Sequence, residues 1–187
     1  MDFDKLIRQR TSIRNYIDKK VDSDKIMDVI EAATLAPSPG NLSVLRFIIV
    51  EDKEKIAKVA NACQQPFIGT APVLIIVCSD AENTDKMYDA RAEKYVKQHV
   101  GAAIEIFLLK ITELKLASCW VGAFSDITIR NALKIPNEIE IEAVLPIAYP
   151  AKVDNSKQKP KPELRNVCYF DEWNNRYKKP INKVGES

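Results

Sequence analysis

A continuous apolar run near the middle of the chain constrains the fold more than any other feature. Residues 72–78 read PVLIIVC, which is a stretch of strand length without polar alternation. Such a strand has no face for solvent, so we expect it at the centre of a sheet that is covered on both sides. The chain has 187 residues, which suits one domain with a substantial core rather than two domains.

Composition and charge exclude several classes of protein. The net charge is +2 and 29% of the residues are charged, which indicates neither a nucleic-acid-binding surface nor a disordered acidic chain. We expect no targeting segment and no membrane span, because the longest apolar runs are strand-sized. Cys63, Cys78, Cys119 and Cys168 form no C-x-x-C pair, so we expect reduced thiols in a cytoplasmic protein. A metal site is not expected, because His99 is the only histidine.

The segment 10–14 is a candidate anion-binding site. Its sequence, Arg-Thr-Ser-Ile-Arg, places two guanidinium groups and two hydroxyls within five residues. Each arginine offers a planar fork of donors, and the two flank a serine, so the segment could grip a dianionic phosphate. The alternative is a basic turn that solvent surrounds.

The loop 37–41 is a second candidate. Pro37 and Pro39 fix the backbone and Gly40 frees it, so the loop can present Ser38 and Asn41 rigidly. The alternative is an ordinary turn between a helix and a strand.

The longest helix is expected over residues 89–115. Its apolar stripe begins at Val96, and beyond Ala102 the other faces also become apolar, so the second half must be buried on several sides. The small residues at 101–103 would allow a neighbouring helix to approach closely. That neighbour could belong to the same subunit or to a dimer mate, and both possibilities stay open.

Side chains suited to catalysis are scarce. No Ser or Cys stands in a nucleophile motif, and His99 lies on the long helix, where a histidine is more often satisfied or exposed than a general base. The chain has neither a dinucleotide-binding G-x-G-x-x-G nor a P-loop. This poverty is expected where a cofactor carries the chemistry.

Four segments resemble motifs of the FMN-dependent nitroreductase family, in that family's order and spacing. They are RQRTSIRNY at 8–16, APSPGN at 36–41, LASCWVGAF at 116–124 and LPIAYP at 145–150. The resemblance implies an α+β fold, a three-layer α-β-α sandwich with a mainly antiparallel central sheet. It also implies that residues 1–187 form one domain, whose segment 151–187 is an extended arm exchanged in a homodimer.

The same resemblance implies the chemistry. FMN would accept a hydride from NADH or NADPH at N5 and, after release of the nicotinamide, pass electrons to a nitroaromatic or quinone-like acceptor in a ping-pong reaction. No catalytic side chain, metal, nucleic acid or membrane partner is implied. Alternatives are a specialised flavin enzyme of the same fold, such as a reductive dehalogenase, and an FMN-binding or sensor protein without turnover.

Matching the family's motifs residue by residue implies a cofactor site. The segment 10–14 and a later basic pair would hold the phosphate, the loop 37–41 would reach the flavin from the partner chain, and a C-W-x-G turn would lie by the ring. Trp120 of that turn is expected first as a core residue. The cofactor-binding residues implied are Arg10, Thr11, Ser12, Arg14, Pro37, Ser38, Asn41, Ser43, Trp120, Val121, Gly122, Lys159 and Lys161.

Three positions depart from the family's pattern, all towards the substrate end of the site. Ser43 stands where a flavin-facing Gln is common, and Lys115-Leu116-Ala117 replaces Gly-Leu-Gly. His99-Val100 stands where an acid often precedes the small residues of the long helix. We therefore expect the fold and cofactor to be conventional and the acceptor pocket to be altered.

Overall fold

The computed structural model describes residues 2–151 and 162–176. The chain divides into two compact units, residues 1–153 and 154–187. The α-helices of the described residues are α1 (Phe3–Gln9), α2 (Ser23–Thr34), α3 (Lys53–Cys63), α4 (Glu82–Tyr88), α5 (Ala92–Glu113), α6 (Asp126–Leu133) and α7 (Leu164–Val167). The strands are β1 (Tyr16–Ile17), β2 (Leu45–Val50), β3 (Val73–Ser79), β4 (Glu140–Ile147) and β5 (Tyr149–Pro150).

An antiparallel sheet of order β2-β3-β4 forms the centre of the first unit. Every residue of β3 is buried, and β3 pairs on both edges, so the strand expected from the apolar run is confirmed as the central one. Its register with β2 runs from Leu45↔Ser79 to Val50↔Leu74. A second, two-stranded sheet joins β1 to β5.

Helices cover both faces of the central sheet. Ile75 and Val77 of β3 point to one side, where they pack with buried residues of α2 and α5. Leu74 and Ile76 point to the other side and pack with α3 and α6. The three-layer α-β-α arrangement implied by the resemblance is therefore confirmed. Successive side chains of a strand point to opposite faces, and both faces of β3 are apolar, so each face needs a layer of helices to cover it.

The long helix starts later than the sequence suggested. α5 begins at Ala92 rather than at residue 89, because Asp89 has a φ of 44° and ends the separate helix α4. A residue in this left-handed region cannot continue a right-handed helix. α5 ends at Glu113, two residues before the expected end.

The second unit is small in its described part. It contains α7 and a bridge between Tyr169 and Arg176. The rings of Tyr169 and Trp173 lie 4.7 Å apart, and the Trp173 side chain is exposed. The expected packing of this unit on a dimer mate stays a prediction.

Candidate functional site

The segment 10–14 is fixed to the turn that follows α5. Arg10 ends α1, and its backbone N–H donates to the carbonyl of Leu6. Further on, the Ile13 N–H donates to the Ser118 carbonyl at 2.9 Å, and the Tyr16 hydroxyl donates to the Ile13 carbonyl at 2.8 Å. Burial raises the pKa of Tyr16 above its ordinary value, so the phenol stays a neutral donor. Two motifs that are a hundred residues apart in the sequence are thereby held in contact.

Arg10 makes an ion pair within the candidate site. Its Nε lies 3.4 Å from Glu105 Oε1 on α5, with side chains that are 22% and 51% exposed. A cavity of about 50 Å³ lies beside this pair and is lined by Arg10, Thr11, Ile13, Leu108 and Ser118 among others. The buried Ser118 hydroxyl has no hydrogen-bond partner among the described residues, so a ligand in the cavity could form a hydrogen bond with it.

The donors around the segment fit a phosphate. Thr11, Ser12 and Arg14 are exposed, which leaves two hydroxyls and a guanidinium open to a ligand. Arg14 Cζ lies 5.9 Å from the centre of the Phe67 ring, a cation-π contact that limits the freedom of its side chain. Arginines and hydroxyls are the donor set that a phosphate dianion prefers, so the residues present suit the group that the resemblance implies.

The C-W-x-G turn runs along the free edge of β4. Val121 exchanges two backbone hydrogen bonds with Val144, at 3.1 and 3.0 Å, so the turn is held by the sheet. The expectation that Trp120 packs in the core is wrong, because its side chain is 42% exposed while Cys119 and Val121 are buried. Neighbours in an extended segment point to opposite sides, which explains the alternation. Gly122 is exposed, and no described residue outside its chain neighbours lies within 4 Å of the place where a Cβ would stand.

The loop 37–41, which we call the Pro-Ser loop, packs on a different part of α5. A cavity of about 260 Å³ separates the two and is lined by Pro37, Ser38, Pro39, Tyr95, Gln98, His99 and Ala102. Gly40 has a φ of 56°, and a Cβ there would stand 2.8 Å from the Tyr88 hydroxyl. The glycine is therefore required for both its backbone and its close packing. Asn41 and the nearby Ser43 are exposed.

The structure does not bring all the expected site residues together within one chain. The Pro-Ser loop meets α5 around residues 95–102, whereas the segment 10–14 meets it around residues 105–112. The two regions are centred about ten residues apart, or about 15 Å along the helix axis. Lys159 and Lys161 lie outside the described residues.

Other features of the described residues bear on the chemistry. Another cavity, of about 690 Å³, is lined by residues such as Asp18, Lys20, Glu51 and Lys53, and none of the expected site residues that the structure describes is among its lining residues. Among residues 2–151 and 162–176, no cluster of three or more His, Cys, Asp or Glu is placed to hold a metal. No helix of this part of the chain has the length and apolarity that a membrane span requires.

The buried cysteines are poor nucleophiles. Burial raises the pKa of both Cys63 and Cys78 to about 11, so these thiols stay protonated at neutral pH. All four cysteines are free, and Cys119 is also buried.

Sequence reasoning missed Glu105 and Ser118, and it did not foresee that His99 is buried against the Pro-Ser loop. Glu105 interrupts the apolar second half of α5, and that interruption was the available signal. His99 falls in register with the buried Val96, Val100 and Ala103, which could have marked it as an internal residue. Nothing in the sequence alone distinguishes Ser118, since its position depends on a contact between distant segments.

Comparison of the sequence with known proteins points to the same family as the motifs. The family model described as "Nitroreductase family" matches residues 7–68 and 60–149. A protein of Archaeoglobus fulgidus that carries the name NADH dehydrogenase/NAD(P)H nitroreductase is 32% identical over 151 residues, which cover 78% of this chain and 84% of that protein. An iodotyrosine deiodinase of Thermotoga neapolitana is 23% identical over 171 residues, with coverage of 78% and 87%.

A solved structure gives the same result. An FMN-dependent nitroreductase of Clostridium difficile superimposes with a TM-score of 0.73 at 27% identity, covering 90% of this chain and 98% of that one. Because the family model spans more than half of the sequence, the chain belongs to the nitroreductase family of FMN-dependent NAD(P)H oxidoreductases.

Proposed function

We propose that this protein binds FMN at the segment 10–14 and passes a hydride from NADH or NADPH to nitroaromatic or quinone-like acceptors by a ping-pong mechanism. The observation that carries the proposal is the bond from the Ile13 N–H to the Ser118 carbonyl, 2.9 Å long. It joins the phosphate-type donors to the C-W-x-G turn, as a ligand with a phosphate at one end and a flat ring would need. Bound FMN would supply the hydride chemistry.

The chain's own residues would bind and orient the cofactor. Arg10 and Arg14 would pair with the phosphate, with Thr11 and Ser12 adding hydroxyl donors. The turn 120–122 would approach the ring through Val121 and the open side of Gly122, with the exposed Trp120 beside it. By the resemblance, Lys159 and Lys161 would close on the phosphate. In a ping-pong reaction the nicotinamide and the acceptor would stack on the flavin one after the other, so the site should be shallow and open to different planar molecules.

A homodimer would complete the site. The Pro-Ser loop lies too far along α5 to meet the segment 10–14 of its own chain, which favours delivery of Pro37, Ser38, Asn41 and Ser43 to the flavin by a partner. α1 buries none of its residues, and Phe3 is 64% exposed, so this helix also has an apolar face to cover. The outer edge of β2 carries no strand among the described residues, and it offers a place for the partner's arm 151–187.

A reductive dehalogenase is the second candidate. The likeness to an iodotyrosine deiodinase over most of both chains favours it. Both candidates would use the same cofactor, so an assay of deiodination of iodotyrosine under a chemical reductant separates them. The location we propose is the cytoplasm, because three buried free thiols suit a reducing compartment.

The absorbance spectrum of the purified protein tests the proposal. We expect two flavin bands between 300 and 550 nm, FMN rather than FAD in the supernatant after heating, and bleaching by NADH or NADPH without oxygen. A yellow protein that neither nucleotide bleaches would contradict turnover and favour the binding or sensor alternative. A colourless protein that refuses added FMN would contradict the site.

A further inference from the structure

His99 connects α5 to the Pro-Ser loop. Its side chain is 2% exposed, and its Nδ1 lies 2.8 Å from the Pro37 carbonyl oxygen. Its Nε2 is buried and has no partner among the described residues. A buried polar side chain costs stability unless its polar atoms are hydrogen-bonded, so the bond from Nδ1 offsets part of the cost of placing a histidine here.

The partner of Nδ1 determines the tautomer. A carbonyl oxygen can only accept, so the proton of the neutral imidazole must be on Nδ1, and Nε2 is left as an acceptor. A carboxylate in place of the imidazole could not donate this bond.

The backbone of the Pro-Ser loop is restricted by its own residues. Prolines flank Ser38, and Gly40 and Asn41 both have left-handed backbone angles, with φ of 56° and 60°. The Leu42 N–H donates back to the Pro39 carbonyl at 2.9 Å, which closes the turn. Pro37 has no N–H of its own, so its carbonyl is the main-chain group left to fix the loop at this point. Contacts from outside the loop must set its orientation.

We propose that His99 is a positioning residue for the Pro-Ser loop. Its Nδ1–H donates to the Pro37 carbonyl and holds Ser38 and Asn41 in the orientation that contacts the flavin. The flavin contact rests on the proposed function, whereas the hydrogen bond and its effect on the loop do not. Pro37 is an exposed residue, and with His99 it lines the cavity of about 260 Å³, so water has room to reach its carbonyl when the imidazole is lost. The loss should therefore affect loop order and cofactor binding more than folding.

The tautomer can be read directly by NMR. His99 is the only histidine, so an imidazole nitrogen–proton correlation spectrum of the untagged apoprotein has one assignment. We expect the Nδ1–H tautomer near pH 8. A spectrum showing the Nε2–H tautomer would overturn the proposal.

Two substitutions separate the hydrogen bond from packing. His99→Asn keeps an N–H donor close to the Nδ1 position, and His99→Leu keeps apolar volume without a donor. Amide exchange at Asn41 and Leu42 should speed up in His99→Leu and stay near the wild-type rate in His99→Asn. Equal exchange rates in the two variants would overturn the positioning role, whether or not the protein binds flavin.

Cofactor titration supplies the functional readout. We expect His99→Leu to weaken the binding of both FMN and riboflavin about 3- to 10-fold, the effect of one hydrogen bond, with His99→Asn within about twofold of wild type. Unchanged flavin affinity in His99→Leu would overturn the contact. If the wild type binds neither flavin, the proposed function fails, and the tautomer and exchange results still decide the role of His99 in the loop.

Discussion

Arg10 Nε and Glu105 Oε1 lie 3.4 Å apart, so the arginine expected to hold the phosphate is also paired with a carboxylate of its own chain. The carboxylate orients the guanidinium, and it would also repel a phosphate dianion that binds there. The carboxylate is half exposed, so solvent screens both effects.

Glu105→Gln should therefore bind FMN more tightly. Removal of one negative charge near the phosphate should strengthen binding about two- to fivefold at low salt, and the gain should shrink as salt rises. Fluorescence titration with FMN and with riboflavin checks this result, because riboflavin lacks the phosphate and should show no gain. Glu113→Gln, on the same helix, is the matched control. Weaker FMN binding by Glu105→Gln would mean that its orienting effect dominates.

Arg10→Ala combined with Arg14→Ala should give a colourless apoprotein of normal fold. Each charged hydrogen-bonding partner contributes about 1.5 to 3 kcal/mol, so the loss of both should strip FMN at micromolar protein. Arg46→Ala removes an exposed arginine that pairs with Asp80 elsewhere, and it should stay yellow. Stoichiometric FMN in the double variant would refute the phosphate site.

Gly101→Ala should test whether α5 meets a partner helix. Apart from the backbone of α5 itself, none of the described residues lies within 4 Å of an added Cβ, and alanine is a better helix former by about 0.8–1 kcal/mol, so the subunit should keep its fold. A partner helix packed closely there would be pushed away, which should weaken the dimer by about 1 kcal/mol or more. Sedimentation across a range of concentrations measures the change, with Lys94→Ala as the control. An unaltered dimer would argue against contact at this glycine.

Lys97→Met should destabilise the fold more than an equivalent change on the surface. The Glu142 side chain is 7% exposed and accepts from Lys97 Nζ at 2.8 Å and from Ser79 Oγ at 2.6 Å. Without the lysine, the buried carboxylate loses its cation, at a cost of about 1–2 kcal/mol. Lys86→Met breaks an exposed pair with Glu82 and should cost less than about 0.5 kcal/mol. Urea unfolding of both variants decides the matter, and equal costs would contradict the buried role of Glu142.

The buried thiols should make stability fall in alkali. Burial raises the pKa of Cys63 and of Cys78 from 9.0 to about 11, so the folded state keeps protons that the unfolded state loses. Their contribution is present below about pH 9 and is lost as pH rises from 9 to 11. The free energy of unfolding should thus drop over this window more steeply in the wild type than in a Cys63→Ala, Cys78→Ala variant. Parallel pH profiles would contradict the assignment.

Local patterns predicted most of the fold. The apolar run at 72–78 fixed the central strand, because a strand that is apolar on both faces can only be stable between two layers. Aspartate is a common N-cap residue, and Asp52 caps α3 in the structure, where its carboxylate accepts from the Lys55 N–H at 2.9 Å. The break at Asp89 could not be foreseen, because an aspartate in a helical pattern does not reveal a positive φ.

The arrangement of the candidate site could be predicted from the sequence only in part. The motif residues were found, but the contacts that orient them, from Glu105 to Arg10 and from His99 to Pro37, join residues more than sixty positions apart. Trp120 was expected in the core because a large aromatic side chain is usually buried, and only the pairing of Val121 with Val144 reveals which side of that turn faces inward.

α5 touches both the Pro-Ser loop and the segment 10–14, so its length sets the distance between these two regions of the chain. One inserted residue between His99 and Glu105 would turn one end by about 100° and move it by about 1.5 Å relative to the other. Substitutions on α5 can alter one contact at a time, whereas a change in its length would disturb both together. We therefore expect variation among related proteins to preserve the number of residues between these two positions and to place insertions in the loops instead.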